Sequence, residues 1–280
     1  GHSLKKIVCP FKQPDCTPCL LRHQCYYLKL FETPSLVAPD RVPSNGTDHF
    51  PHPFILVPPL DQRENLAMGD TFTVELILLE VVLPALPYII LAFERMGQVG
   101  IGKERNCFQL THLAVSHGTA WTTVFTAAEG ILQLPDPIAI SLTSYPEVIQ
   151  QVQLTTCTPL RLKQAGHYIT TELPFTVLIR RLLRRLDDLS RLYGTGQIAI
   201  VKTLLELAET ITISDHQLRW IDIRRFSNRQ QQHMNLGGLE GNITYTGNLT
   251  PFAPWLVWGE ILHIGQATSF GFGKYSLKFS

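Results

Sequence analysis

Apolar positions along the chain change period several times, and each change marks an element. Residues 54–57, FILV, form a short apolar run after a proline-rich stretch and predict a buried strand; 70–82 carries a longer one. Pro84 sits where a helix opens, and Leu86, Ile89, Ile90, Phe93 and Met96 recur behind it at helical spacing. A strand is expected at 106–112, with weaker strand signals around 121–127 and 131–134. In the second half, 151–163 reads as a strand, with Thr155 and Thr156 suited to a pleated surface. Pro174 opens a long amphipathic helix to about residue 192, closed by Gly194, with Phe175, Leu178, Ile179, Leu182, Leu183, Leu186 and Leu189 on one face. Residues 198–209 predict an inserted helix, and 217–226 and 241–247 two strands joined by the polar SNRQQQHMNLGGLE. An apolar helix at 251–264 and a last strand marked by Tyr275, Leu277 and Phe279 complete the pattern.

Two helix ends lead into similar glycine-rich loops. MGQVGIGKERNCFQL, 96–110, and HIGQATSFGFGKY, 263–275, both follow an apolar helix and precede a strand. Gly97-Gln98 matches Gly265-Gln266, and Gly100 to Lys103 matches Gly271 to Lys274. Such repetition predicts a duplicated unit. Without the insertion, the second half runs strand, helix, strand, strand, helix, strand, the ferredoxin-like order. The first half shows the same order without its front strand. The expected fold is therefore α+β, two tandem ferredoxin-like domains over 4–148 and 149–280, divided at the proline-punctuated PDPIAISLTSYPE, with the first lacking its N-terminal strand. Gly1-His2-Ser3 reads as a cleavage remnant and stands outside this pattern.

Composition narrows the classes. A chain of 280 residues, 45% hydrophobic and 17% charged, has the balance of a globular protein with room for two cores. The apolar stretch 74–93 is broken by Glu75, Glu80, Pro84 and Pro87, so it predicts buried elements and no membrane span. A net charge of +1 gives no general basic surplus, yet a local basic stripe can lie inside a neutral total. Such a stripe exists: Arg181, Arg184 and Arg185, with Arg180 and Arg191, line the polar face of the 174–192 helix. Arg224, Arg225 and Arg229 enter the polar hairpin.

Cys9, Cys16, Cys19 and Cys25 form a C-x6-C-x2-C-x5-C array. Four thiolates so close together suit a structural Zn(II) or an iron–sulfur cluster; the same residues also suit packing as reduced, small hydrophobes. The cysteine usage points to a reducing compartment. Among histidines, His263, at a helix end before the second loop, is placed for proton transfer, phosphate contact or capping of carbonyls. His23, inside the cysteine array, is the second candidate. Flexible bends at Gly265, Gln266, Gly271 and Gly273, with Lys274 and its counterpart Lys103 behind the glycine pairs, are expected to meet phosphate. Phe270 and Phe272 read as loop anchors or base-stacking groups.

Several stretches in order, TPLRLKQAG, LPFTVLIRRLLRRL, IDIRRFSNRQ, GLEGNITYTGNL and LHIGQATSFGFGKY, resemble the C-terminal domain of CRISPR repeat-processing endoribonucleases of the RAMP superfamily. The N-terminal CYYLKLFE and HPFILVPP are similar to the same subfamily. The resemblance implies a prokaryotic cytoplasmic enzyme that cuts CRISPR precursor RNA within its repeats without a catalytic metal. In that chemistry the 2′-hydroxyl attacks the adjacent phosphate and leaves a cyclic phosphate. It also implies repeat RNA, other CRISPR effector subunits and a second copy of the chain as partners. A non-catalytic RAMP subunit that holds guide RNA is the alternative; an unrelated RNA-recognition-motif protein lacks its stacking signature here. Gln266 departs from the family pattern, in which many loops carry a basic residue after the first glycine.

Overall fold

The computed structural model describes residues 1–12, 15, 16, 18–32, 50–61, 63, 65–118, 120–138, 148–198, 202–227 and 232–280. They fall into two compact units. One gathers 1–32, 50–53 and 78–138; the other gathers 54–77 and 148–280. Residues 54–77, which precede the first glycine loop in the chain, thus group with the second unit.

The second unit is built on one antiparallel sheet. Its strands are β5 (Gln151–Thr156), β8 (Thr212–Ser227), β9 (Gln232–Thr246) and β10 (Tyr275–Phe279), in the order β10-β5-β9-β8. Helix α4 (Phe175–Tyr193) lies between β5 and β8 in sequence, and α6 (Ala253–Leu262) between β9 and β10. Numbered within the unit, the strands run 4-1-3-2, the ferredoxin-like topology. Alternation explains the face that is buried: Val152 and Leu154 on β5 and Ile243 and Tyr245 on β9 are shielded, as are Leu178, Ile179, Leu182 and Leu183 on α4. Phe175 sets its ring edge-on to Tyr245 and Phe252, at 5.0 and 4.9 Å between centroids. Tyr245 and Tyr275 keep their buried hydroxyls satisfied by donating to Leu173 O at 2.8 Å and Leu256 O at 2.7 Å. Helix α6 comes close to this core at Gly259, where a Cβ would stand 2.1 Å from the Tyr275 hydroxyl.

Helix α4 begins and ends where the sequence predicts, with Pro174 as N-cap and Gly194 as C-cap. Of the inserted helix expected at 198–209, α5 spans Lys202–Ala208, and 199–201 lie outside the described residues. Its approach is fixed by Asp187, a buried carboxylate that accepts Ile198 N–H at 2.9 Å and Arg191 Nε at 2.7 Å. The largest departure is the polar hairpin. Its described residues are themselves strand, so that β8 and β9 pair from Thr212↔Thr246 to Ser227↔Gln232 with one register shift between Ile213 and Asp215. Strand β5, by contrast, stops at Thr156. Beyond it, β6 (Lys163–Gln164) and β7 (His167–Tyr168) form a small hairpin, held near β9 by the Leu160↔Leu239 bridge.

Strands β1 (Phe54–Val57) and β2 (Glu75–Leu78) make a two-stranded ladder, and β1 packs on the short 3-10 turn Thr268–Phe270 of the second glycine loop. In the first unit, α1 (His2–Val8) contacts α3 (Leu86–Val99), which opens after a 3-10 turn containing Pro84. Leu86 and Ile90 of α3 form a small core with Phe125. Phe125 belongs to the hairpin of β3 (His112–His117) and β4 (Ala120–Thr126), so the strand expected at 106–112 starts where that range ends. Among the described residues of this unit no four-stranded sheet is present. No described helix is long and apolar enough to cross a membrane.

Candidate functional site

The second glycine loop closes on the segment that follows β5. Cys157 and Thr158 donate their N–H groups to Lys274 O at 2.9 and 3.1 Å, Gly273 donates to Pro159 O at 2.9 Å, and Gln266 donates to Arg161 O at 2.9 Å. The Thr158 hydroxyl donates to Gly271 O at 2.7 Å and accepts from Lys274 N–H at 2.9 Å. From Phe270 to Lys274 every backbone N–H is given to an oxygen of the protein. A phosphate cradle needs such groups unpaired and aimed at the ligand. Gly271 and Gly273 thus give their N–H groups to the protein, and Gly265, Gly271 and Gly273 let its own backbone pass. At Gly273, with φ 77°, a Cβ would lie 1.9 Å from Ile264 O; at Gly271 it would lie 2.6 Å from Pro58 Cδ. The side chain of Gln266 is exposed and accepts from the Tyr168 hydroxyl at 3.2 Å.

The cation behind the glycines is also committed. The Lys274 ammonium pairs with the Glu75 carboxylate, closing β2 onto the loop. Lys103, at the matching place in the first loop, is exposed on a turn. His263 is 0% exposed and caps α6, its Nδ1 standing 3.0 Å from Phe272 O. That geometry requires the Nδ1–H tautomer, and Nε2 has no hydrogen-bond partner. Burial lowers the imidazole pKa to about 4, outweighing the stabilising bond to Phe272 O. The ring is thus neutral and shielded from solvent, and its described bond is a structural one to Phe272 O.

Two arginines of the polar face of α4 are engaged by backbone carbonyls, while Arg180 is exposed. Arg181 donates through Nε and Nη2 to Lys163 O at 3.1 and 2.6 Å. Arg185 donates through Nε to Leu262 O and His263 O, both at 3.0 Å, at the carbonyl end of α6 where a cation is favoured. Desolvation lowers the Arg185 pKa to about 10, so it stays charged. Arg184 lies 3.9 Å from Asp188. The Arg181 and Arg185 bonds tie α4 to Lys163 of β6 and to the end of α6, while the Arg184–Asp188 pair stays within α4. Arg224 and Arg225 lie on β8 near the far end of the ribbon, opposite Asn235 and Met234. Arg229 lies outside the described residues.

In the first unit the four cysteines are free thiols, and among the described residues no three His, Cys, Asp or Glu side chains converge on a metal position. The geometry does not support a structural Zn; Cys25 is the N-cap position of α2 (Tyr26–Phe31) without a side-chain cap bond, and Cys16 and Cys19 share a turn through Cys19 N–H and Cys16 O at 3.2 Å. His23 is exposed on the turn before α2.

A cluster that sequence reasoning passed over lies on the β6–β7 hairpin. Arg161 stacks on Tyr168, its Cζ 4.1 Å from the ring centroid, and Lys163 Nζ lies 4.6 Å from the same ring. Arg161 is fixed by Nη1 to Gly237 O at 2.8 Å and Nη2 to the Tyr168 hydroxyl at 2.6 Å. Trp220 of β8 meets Tyr168 at 5.7 Å, tilted by 43°. The signal was present in RLKQAGHY, a two-residue turn flanked by cations and an aromatic, but reading 151–163 as one strand hid it.

Residues 154–275 match the family model of the CRISPR-associated endoribonuclease Cas6, and 1–137 match a second model, described as an N-terminal domain. The Cas6 match covers somewhat less than half of the chain. No curated protein matches the chain. Among solved structures, a partial Cas6-RT-Cas1–Cas2 complex aligns at 18% identity over 81% of this chain and 39% of that one, with a TM-score of 0.51. A second Cas6-RT-Cas1–Cas2 complex gives the same identity, coverage of this chain and TM-score, over 24% of that chain. The chain thus spans well under half the length of these two proteins. A Cas6 product complex aligns at 16% identity over 93% of this chain and 95% of that one, with a TM-score of 0.50. These likenesses concern the fold. The matched region begins within β5 and ends at the start of β10, so it contains every backbone hydrogen bond of the loop described above, and also Thr158 to Gly271.

Proposed function

We propose that the protein is an endoribonuclease that cuts CRISPR precursor RNA within its repeats. The observation that carries this reading is the Cas6 match over the 4-1-3-2 sheet and the loop that closes it. In the proposed reaction the ribose 2′-oxygen attacks the adjacent phosphorus as a base takes its proton. The bond from phosphorus to the 5′-oxygen breaks as an acid protonates that oxygen, leaving a 2′,3′-cyclic phosphate and a 5′-hydroxyl. Side-chain acid and base suffice for this displacement. His23 is the exposed imidazole among the two candidates and takes the proton-transfer role in this reading. The β8–β9 ribbon, with Arg224 and Arg225 near its tip, would meet the phosphates of a repeat stem, since double-stranded RNA is recognised chiefly through shape and backbone. The repeat RNA and other CRISPR proteins are its proposed partners.

A specific observation favours a second reading, a RAMP-type subunit that holds RNA without cutting it: His263, the histidine of the Cas6 region closest to the loop, is sealed in the core. The two readings separate in one experiment. Full-length protein is incubated with repeat RNA in chelator, and products are analysed for a cyclic phosphate. Cleavage that stops when the nucleotide 5′ of the cut carries a 2′-deoxy sugar supports the enzyme; binding without cleavage supports the holding subunit.

A further inference from the structure

We infer that Tyr168 and Trp220, flanked by Arg161 and Lys163, form a stacking platform for an unpaired nucleotide beside the β8–β9 ribbon. This inference rests on RNA being the ligand of the protein. The two rings come from different elements, β7 and β8, and each is only partly shielded. Their convergence is enforced from below. Leu160 bridges to Leu239, and Leu239 is the register partner of Trp220, so the small hairpin and the ribbon share one anchoring strand.

Each ring is held in its plane. The Tyr168 hydroxyl accepts from Arg161 Nη2 at 2.6 Å and donates to Gln266 Oε1 at 3.2 Å. The Trp220 indole donates Nε1–H to Asp222 Oδ1 at 3.0 Å, and the ring covers Gly237, where a Cβ would come within 2.3 Å of it. Rings fixed in this way lose little entropy when a base stacks on them.

The charge beside the rings suits a nucleotide. Arg161 spends its described hydrogen bonds on a carbonyl and a hydroxyl, so its positive charge is not neutralised by a carboxylate. The Lys163 ammonium rests on Tyr168 and is paired with no carboxylate among the described residues, while the Lys163 carbonyl is pinned by Arg181. The acid of the cluster, Asp222, is engaged by the indole. Partly exposed aromatics next to long cations are the arrangement on which single strands bind, bases on the rings and phosphates on the cations. A paired stem offers no free base face, so the platform selects an unpaired nucleotide next to the stem that the ribbon would hold.

The test uses the full chain and two RNA probes, the repeat hairpin alone and the hairpin with unpaired flanks, read by fluorescence anisotropy. Wild type is expected to bind the flanked probe more tightly. Tyr168→Ala and Trp220→Ala are each expected to weaken the flanked probe roughly tenfold and to leave the bare hairpin within about twofold, as is normal for lost stacking alone. Tyr168→Phe and Trp220→Phe, which keep a π face, retain most of the affinity and control for folding, which circular dichroism checks for every variant. Equal affinity of folded alanine variants and wild type for the flanked probe overturns the platform while leaving the RNA reading intact. So does an equal loss on both probes. Failure of wild type to bind either probe overturns both readings.

Discussion

Lys274 and Glu75, 199 residues apart in the sequence, form an ion pair that ties β2 to the end of the second glycine loop. The pair lies at the surface of the second unit, with side chains 21% and 41% exposed, so solvent screens much of its attraction. Glu75→Gln is expected to lower stability by about 0.5–1 kcal/mol, read by urea unfolding, with an effect that shrinks in high salt. A salt-independent loss, or a gain, would contradict the pairing.

The loop glycines make a stronger demand. Gly273→Ala would place a methyl 1.9 Å from Ile264 O in a backbone region that L-residues avoid. A loss of roughly 3 kcal/mol or more is expected. Gly102, whose added Cβ meets nothing within 4 Å, serves as the control at comparable φ. If Gly273→Ala melts no lower than Gly102→Ala, the close approach is not real.

Burial of neutral His263 makes stability depend on pH. Its folded-state pKa, about 4, lies below the ordinary 6.5, so the unfolded chain binds more protons between these values. This contribution is complete above pH 6.5 and is lost as pH falls toward 4, by up to about 3 kcal/mol. His263→Asn, which can still donate to Phe272 O, should flatten that part of the profile. An unchanged slope in the variant would locate the dependence elsewhere.

The β6–β7 turn offers a gain. Ala165 and Gly166 both have positive φ, 48° and 86°, as a two-residue hairpin turn of type I′ requires. Asparagine tolerates the first position far better than alanine does. Ala165→Asn is expected to raise stability by about 0.5–1 kcal/mol in thermal unfolding; a lower melting temperature would argue for a different turn.

Helix α4 was legible from residues alone because Pro174, Gly194 and a 3.6-residue apolar stripe all mark the same element. The β8–β9 ribbon was only half legible: its outer part is polar and glycine-containing, and pairing with a partner strand, not side-chain pattern, makes it a strand. The site reading departed further. Glycine spacing in 263–275 shows that backbone must bend and be approached closely, but not by what. Ile264, Leu56 and Pro58 are the answer, and two of them lie some two hundred residues upstream.

Local patterns by themselves thus determined the order strand, helix, strand, strand, helix, strand in the second half, because period and capping act over a few neighbouring residues. Tertiary structure alone decided that His263 is sealed, that Arg181 and Arg185 serve carbonyls, and that Tyr168 meets Trp220. Burial and pairing depend on which distant segments arrive at a side chain, and no short-range pattern encodes that arrival.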